Sequence, residues 1–435
     1  MAGGTWTKQN KIRPGAYINF KSKKNDVNSI GERGVATMPL TLPWGMERQV
    51  LEIHSDDDLY KKIGININDE NALLIREIFK RAKILLLYRL NEGEKATATL
   101  EELTVTAKYS GTKGNDINIV IQNNIDNVSK FELITIFEGN KVDRQIVTDI
   151  SELKSNDYIC FKGTGKLKTT AGLSLKGGTD GTVTNEDYVG YLSSVEPYDF
   201  HAMGISTKDS TIKAVATTFI KRLKSEGRQV QLVLENYPEA DCENVLSVKN
   251  GVILNDGREV HSEKAVAFIT GATAGANVNQ SNTYLKYSDA IDVDIKYTDR
   301  EIEAALLNGE IVFTINNGTV VIEQDINTLK TFTEDKKKDY RKNRVIRTLF
   351  EVNNGIKVLW DKNYIGKGNN NEDGRSLFKK DVIKALEQLE KINAIENVES
   401  EDVEIKRGED KDSIIAKVKV QPIDAMEKLY MDVEV

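Results

Sequence analysis

TIKAVATTFIKRLKSEGRQVQLVL, residues 211–234, contains a helix and a strand joined by a glycine turn. Ile212, Val215, Ala216, Phe219, Ile220 and Leu223 recur every three or four positions and form one apolar stripe. Gly227 supplies the stop, and the apolar, β-branched run 230–234 follows as a buried strand. The same order occurs upstream. A helix over 70–81, with Leu74, Ile78 and Ala82 in register, runs into the apolar strand 84–90. Downstream, 265–270 reads as another buried strand candidate, and Thr298-x-x-Glu301 is a capping box opening a helix that ends near Leu306. A hairpin follows over 311–323, turned by Asn317-Gly318. Helices alternating with strands predict an α/β fold built on a layered sheet.

Between 93 and 180 the texture changes. Short alternating runs at 103–109, 116–122, 131–138 and 142–147 are separated by Ser110-Gly111, Gly114-Asn115 and Gly139-Asn140, which predicts an antiparallel β domain inserted between two α/β parts. The last hundred residues are more charged. Residues 336–347 carry seven Lys or Arg and one acid, whereas 396–412 carry eight acids and three bases. Between them, 376–392 is an amphipathic helix with Phe378, Val382, Ala385, Leu386 and Leu389 on one face and Lys379, Lys380, Lys384 and Lys391 largely off it. Two alternating strands close the chain, one with Ile414, Ala416, Val418 and Val420 in phase, the other with Leu429, Met431, Val433 and Val435. The expected division is an α+β multi-domain chain: 1–34 an N-terminal arm, 35–92 the first part of the core, 93–180 the β insertion, 181–332 the central α/β domain, 333–420 a C-terminal α+β domain and 421–435 a C-terminal arm.

Composition argues against independent catalysis. The 435 residues include three His, two Cys and six Pro, with a net charge of −7. No two His stand at metal-ligand spacing, and Cys160 and Cys242 are 82 positions apart, so no metal, cofactor or disulfide framework is expected. The start, MAGGTWTKQNKIRPG, carries no apolar signal core, and the longest apolar stretch, 82–88, is interrupted by Lys83, so neither signal-peptide secretion nor membrane insertion is expected. Gly163-x-Gly165-Lys166 lacks the glycine and hydroxyl residue of a phosphate loop, with Cys160 and Leu167 in their places, and reads as a turn. Gly366-x-Gly368 reads as a loop before the helix. His201 and His261 are general-base candidates without a recognisable nucleophile nearby, and a structural role fits both better. The basic run 336–347 is interleaved with Tyr340, Ile346, Leu349 and Phe350 in an acidic chain, which favours a protein surface over nucleic acid. An α/β enzyme acting on a nucleotide or peptide, and a monomeric surface-binding module, remain the alternatives.

The ends carry the more telling pattern. GAYINF (15–20) alternates as a strand, as does 429–435, and each is tethered by a polar segment. Such strands pair within their own subunit or add to the sheet of another chain. A link that does not close on itself then builds rings or filaments. RPGAYINF (13–20), LKGGTDG (175–181), YIGK (364–367) and VQPIDAMEKLY (420–430), in that order over nearly the whole chain, resemble the tail sheath proteins of contractile phages and phage-tail-like bacteriocins.

That resemblance implies a non-enzymatic structural subunit: hexameric rings of a homopolymer, stacked as a sleeve around an inner tail tube, with baseplate and tail terminator proteins at its ends. It implies a central domain of subtilisin-like topology, without that family's catalytic motifs, and an outward-facing β insertion. It implies that the terminal arms exchange strands between neighbours, carried here by Tyr17, Ile18, Asn19 and Phe20 at one end and by Leu429, Tyr430, Met431, Val433 and Val435 at the other. The receiving sheet would include Ile414, Ala416, Val418 and Val420, and the helix bearing Lys379, Lys380 and Lys384 would face the tube. Assembly in the cytoplasm of the producing bacterium and release as part of an extracellular particle follow. The unequal charge of 336–347 and 396–412 suggests complementary patches meeting between subunits.

Overall fold

The computed structural model describes residues 2–4, 15–17 and 33–434. The helix read from 211–225 is Ser210–Ser225. It opens on Asp209, whose carboxylate accepts from the Thr211 and Ile212 amides at 2.7 and 3.4 Å, and it ends where Gly227 turns at φ +81°. The following strand, Gln231–Glu235, lies inside a seven-stranded sheet. Across that sheet the order is Glu310–Ile311, Val245–Val248, Gln231–Glu235, Ala202–Gly204, Val35–Leu40, Ile84–Arg89 and Val50–His54, all parallel except the last. Strands from before and after the β insertion therefore form a single sheet, joined where Val35–Leu40 pairs with Ala202–Gly204.

Helices cover both faces. Leu232 and Leu234 point into a layer with Tyr191, Ile212, Ile220 and Leu223, from helices Asn185–Val195 and Ser210–Ser225. Val233 points the other way, toward Ile75, Ile78, Val266 and Ile269, from helices Leu73–Phe79 and Ser262–Gly275. Strands buried on both faces are why their sequences read as continuous apolar runs.

The run 265–270 is not a strand. It is the middle of helix Ser262–Gly275, in which every residue from 265 to 274 is buried. A helix enclosed on all sides has no polar stripe and hence no period to read. Its small residues permit that enclosure: a Cβ on Gly271 would lie 2.3 Å from the Ile78 carbonyl oxygen, and one on Gly275 2.0 Å from that of Arg81. The Thr298 capping box and the Asn317-Gly318 hairpin are both present, the latter with φ of +47° and +74° joining Phe313–Asn316 to Thr319–Ile322.

The insertion is a pair of antiparallel sheets, of four and three strands, around a core that includes Val105, Ile119, Leu133 and Ile159. Trp44 enters this core from outside the insertion, its ring 5.4 Å from Tyr109 and 5.6 Å from Phe137. Arg89, at the end of a central strand, is buried and donates to the carbonyls of Gly45 and Ser110 at 2.7 and 3.0 Å. Asn91 joins the Leu42 backbone to the Asp180 carbonyl. The entering and leaving chains touch at Gly93 and Gly181, where a side chain would strike the opposite backbone at 2.0 Å. The insertion is thus held to the central layers by buried polar contacts as well as by its two crossings.

The C-terminal layer consists of helices Asn343–Asn363 and Glu372–Lys391 and two short antiparallel pairs, Val403–Arg407 with Ile414–Val418 and Ile395–Glu396 with Gln421–Pro422. The acidic stretch 396–412 thus contributes a strand. Arg347, with no exposed surface, pairs with Asp325 at 2.6 Å and ties this layer to the central one. Among the described residues no helix is long and apolar enough to cross a membrane.

Candidate functional site

The candidate surfaces lie at the chain ends and in the C-terminal layer. At the amino end, Gly15–Tyr17 is a strand paired in parallel with Ala2–Gly4 of the same chain. Ile18, Asn19 and Phe20 lie outside the described residues, as does Val435. At the carboxyl end, the run 429–434 forms no strand in the isolated subunit. Leu429, Tyr430, Met431 and Val433 are 83, 87, 71 and 71% exposed. A strand needs a partner for its amides, and none of the described residues pairs with 429–434.

Strand Ile414–Val418 pairs on one side with Val403–Arg407, and its other edge is unpaired among the described residues. Ile414, Val418 and Val420 turn toward the core of this layer, whereas Ala416 is exposed and Ile415 is 58% exposed. The expected single apolar face holds for three of its four residues. Helix Glu372–Lys391 packs against strand Val403–Arg407.

That helix begins at Asn371, whose side chain accepts from the Gly374 amide at 2.9 Å, and buries Phe378, Val382, Leu386 and Leu389. Each such side chain contributes about 1.5–3 kcal/mol of burial. Its opposite face carries Lys379, Lys380 and Lys384 along a shallow groove with Ile383 and Glu387. Lys380 and Lys384 are exposed and Lys379 is half-buried, and none of the three forms an ion pair with a described residue.

The basic run 336–347 is different. Lys336 pairs with Glu243 at 2.8 Å, Lys342 pairs with Glu427, and Arg347 pairs with Asp325. Burial acts against ionisation of Glu243, but hydrogen bonds from Lys224 and Lys336 prevail and bring its carboxyl down to about 2. Three of the seven bases of the run therefore meet acids of their own chain, which narrows the part of the stretch left to form a patch between subunits. Lys337 and Lys338 remain exposed.

The histidines are occupied structurally. His201 accepts from the Val35 amide through Nδ1 at 3.3 Å, and burial together with Arg33 lowers its pKa to about 3. His261 lies between Asp294, 3.3 Å from Nδ1, and Glu259, 3.4 Å from Nε2, so its second nitrogen faces a carboxylate rather than a hydroxyl. Gly163 and Gly165 form a turn after strand Ile159–Lys162, without a helix N-terminus behind it. Sequence reading did not single out Trp44, Arg89 or Glu427. Their partners lie far along the chain, and only the buried aromatic at 44, beside Pro43 and Gly45, is unusual locally.

Comparison with known proteins places these features. Four family models follow one another along the chain: tail sheath protein Gp18 domain III N-terminal region over 33–90, phage tail sheath protein beta-sandwich domain over 91–180, phage tail sheath protein central domain over 181–328, and phage tail sheath C-terminal domain over 335–435. The chain is 39% identical to YqbK and 38% identical to XkdK of the phage-like element PBSX, both of Bacillus subtilis, over the full length of all three chains. It is 28% identical to a tail sheath protein of Clostridium phage phiCD119 over 50% of this chain and 59% of that one. Among solved structures, the sheath tail protein of Desulfitobacterium hafniense is 46% identical with a TM-score of 0.86, covering 97% of this chain and 100% of that one. That of Listeria innocua is 36% identical with a TM-score of 0.83, covering 92% and 94%. The contracted helical sheath of the anti-feeding prophage shares the fold at 12% identity, with a TM-score of 0.57 over 98% and 99% of the two chains. A mixed α/β, multi-domain chain matched along its length in this way belongs to the phage tail sheath family, whose members are structural subunits.

Proposed function

We propose that this sheath subunit polymerises into stacked hexameric rings around an inner tail tube and contracts to drive that tube through a bacterial envelope. The observation carrying this reading is that one molecule presents both an open strand edge at Ile414–Val418 and an exposed apolar segment at 429–434. Neither has a partner among the described residues, and a second copy supplies both. Residues 1–34 and 421–435 act as arms, with Tyr17, Ile18, Asn19 and Phe20 at one end and Leu429, Tyr430, Met431, Val433 and Val435 at the other. Residues 35–92 and 181–332 form the core, with a subtilisin-like topology; 93–180 faces outward and 333–420 faces the tube through Lys379, Lys380 and Lys384. Baseplate and terminator proteins close the sleeve, which assembles in the producing cell and works outside it.

Contraction in this account is a rigid-body change between two sets of lateral contacts, with the arms as flexible links. It needs no bond hydrolysis. The test is deletion of 429–435. The truncated chain remains folded, with its thermal midpoint within about 2 °C of the full chain, because the side chains of 429–434 are exposed, and it fails to sediment as polymer. Sleeves of ordinary length from the truncated chain would refute the arm assignment.

A further inference from the structure

Among the described residues, the last polar hold of the C-terminal segment on its own subunit is one side chain. The Glu427 carboxylate is 11% exposed, between Met426 and Lys428, which both face solvent. Three groups from separate places converge on it. Thr283 Oγ1 donates to Oε1 at 2.8 Å, Gln324 Nε2 donates to Oε2 at 2.8 Å, and Lys342 Nζ pairs with the same Oε2. Thr283 Oγ1 also accepts from the Asp325 amide at 3.0 Å, so the site is continuous with the buried Asp325–Arg347 pair that joins the two layers. Partial burial alone would raise the Glu427 carboxyl, yet its three donors hold it below the usual carboxylate range. Upstream, the chain is held by the Ile423 amide on the Ala394 carbonyl at 3.0 Å and by the Ile395–Glu396 pairing. From 428 to 434, no hydrogen bond or ion pair joins the chain to a described residue.

We infer that Glu427 is the anchor of the C-terminal arm, fixing the residue at which the chain leaves its own subunit and so the reach offered to a second copy of this chain. This rests on the arm reading above. Seven residues, 428–434, span about 23 Å when extended, at ~3.3 Å per residue. Releasing the chain at 423 instead would add four residues, or about 13 Å, of slack. An arm of fixed origin presents its apolar alternation to a neighbouring sheet edge in one register, whereas a slack one samples several. The anchor is also built on the junction of the central and C-terminal layers, so a pull on the arm is delivered to the rigid part of the subunit.

The experiment compares the full chain with Glu427→Gln and, independently, Lys342→Gln, using amide hydrogen exchange on the unassembled protein and sedimentation after assembly. Exchange over 421–428 should rise at least ten-fold in both variants, with the central helices unchanged, and the polymer yield at equal concentration should fall at least ten-fold. Wild-type exchange over 421–428 in both variants would overturn the anchor. Faster exchange with wild-type yield and sleeve length would overturn its role in assembly. Deletion of 429–435 separates the two ideas: if the deletion abolishes polymer while both point variants polymerise normally, the arm reading stands and the anchor's role in assembly falls. If the deletion also polymerises normally, the arm reading itself falls.

Discussion

His201 shows how a residue suited to catalysis becomes architectural. Its main chain pairs with Val35 and its Nδ1 accepts from the same residue, at the end of the strand pair that joins the two halves of the sheet. Burial and the nearby Arg33 charge lower its pKa to about 3, so the native ring is neutral across the ordinary pH range. An unfolded histidine takes up a proton near pH 6.5. Between those values the unfolded state binds more protons, so this residue's contribution turns against the fold as pH falls from about 6.5 toward 3. His201→Gln removes that term. Its loss of urea midpoint between about pH 7 and pH 4.5 should be smaller than that of the wild type, and an equal loss in both proteins would show that His201 does not titrate in this way. The scarcity of His and Cys was legible from composition, but what each His touches was not, because Val35 and Asp294 lie 166 and 33 positions from their partners.

At the scale of elements, legibility followed periodicity. Helix Ser210–Ser225, the Thr298 capping box, the Asn-Gly hairpin and helix Glu372–Lys391 each have one wet and one dry side, or a turn that demands particular residues, and each was readable. Helix Ser262–Gly275 lacked such a signal because it is buried all round, and its Ala and Gly content was the remaining clue. The run 429–434 has a strand's alternation and no strand's structure, since its ladder cannot be completed within the described chain. Helix Glu372–Lys391 also carries the tube-contact proposal. Reversing Lys379, Lys380 and Lys384 to Glu should change monomer stability by no more than about 1.5 kcal/mol, about 0.5 for each substitution, because none of the three is ion-paired to a described residue. The same triple reversal should reduce co-sedimentation with tubes at least ten-fold while leaving tube-free self-association within two-fold, since a rim of charge sets encounter and register with a complementary surface. Undiminished co-sedimentation would remove this helix from the tube interface.

Across the whole molecule, the α/β class and the β insertion were readable, but the closure of one sheet across that insertion was not. Parallel pairing of Val35–Leu40 with Ala202–Gly204 is a non-local event with no mark in either segment. The charge distribution was legible only in part, for a related reason. The basic run looked like a surface waiting for a partner, and Glu243, Asp325 and Glu427 of the same chain meet it. Among the described residues, the outer edge of Ile414–Val418 and the apolar tail 429–434 have no partner, and both belong to the C-terminal part of the chain. In the function proposed above, such a subunit would move as a body while the tail keeps it linked to its neighbours. Cryo-electron microscopy of sleeves assembled from the full chain tests this most directly. The account predicts continuous main-chain density for 429–434 running as an added strand along the Ile414–Val418 edge of a neighbouring subunit. Sleeves in which 429–434 folds back on its own subunit, with that edge left open or filled by another element, would contradict it.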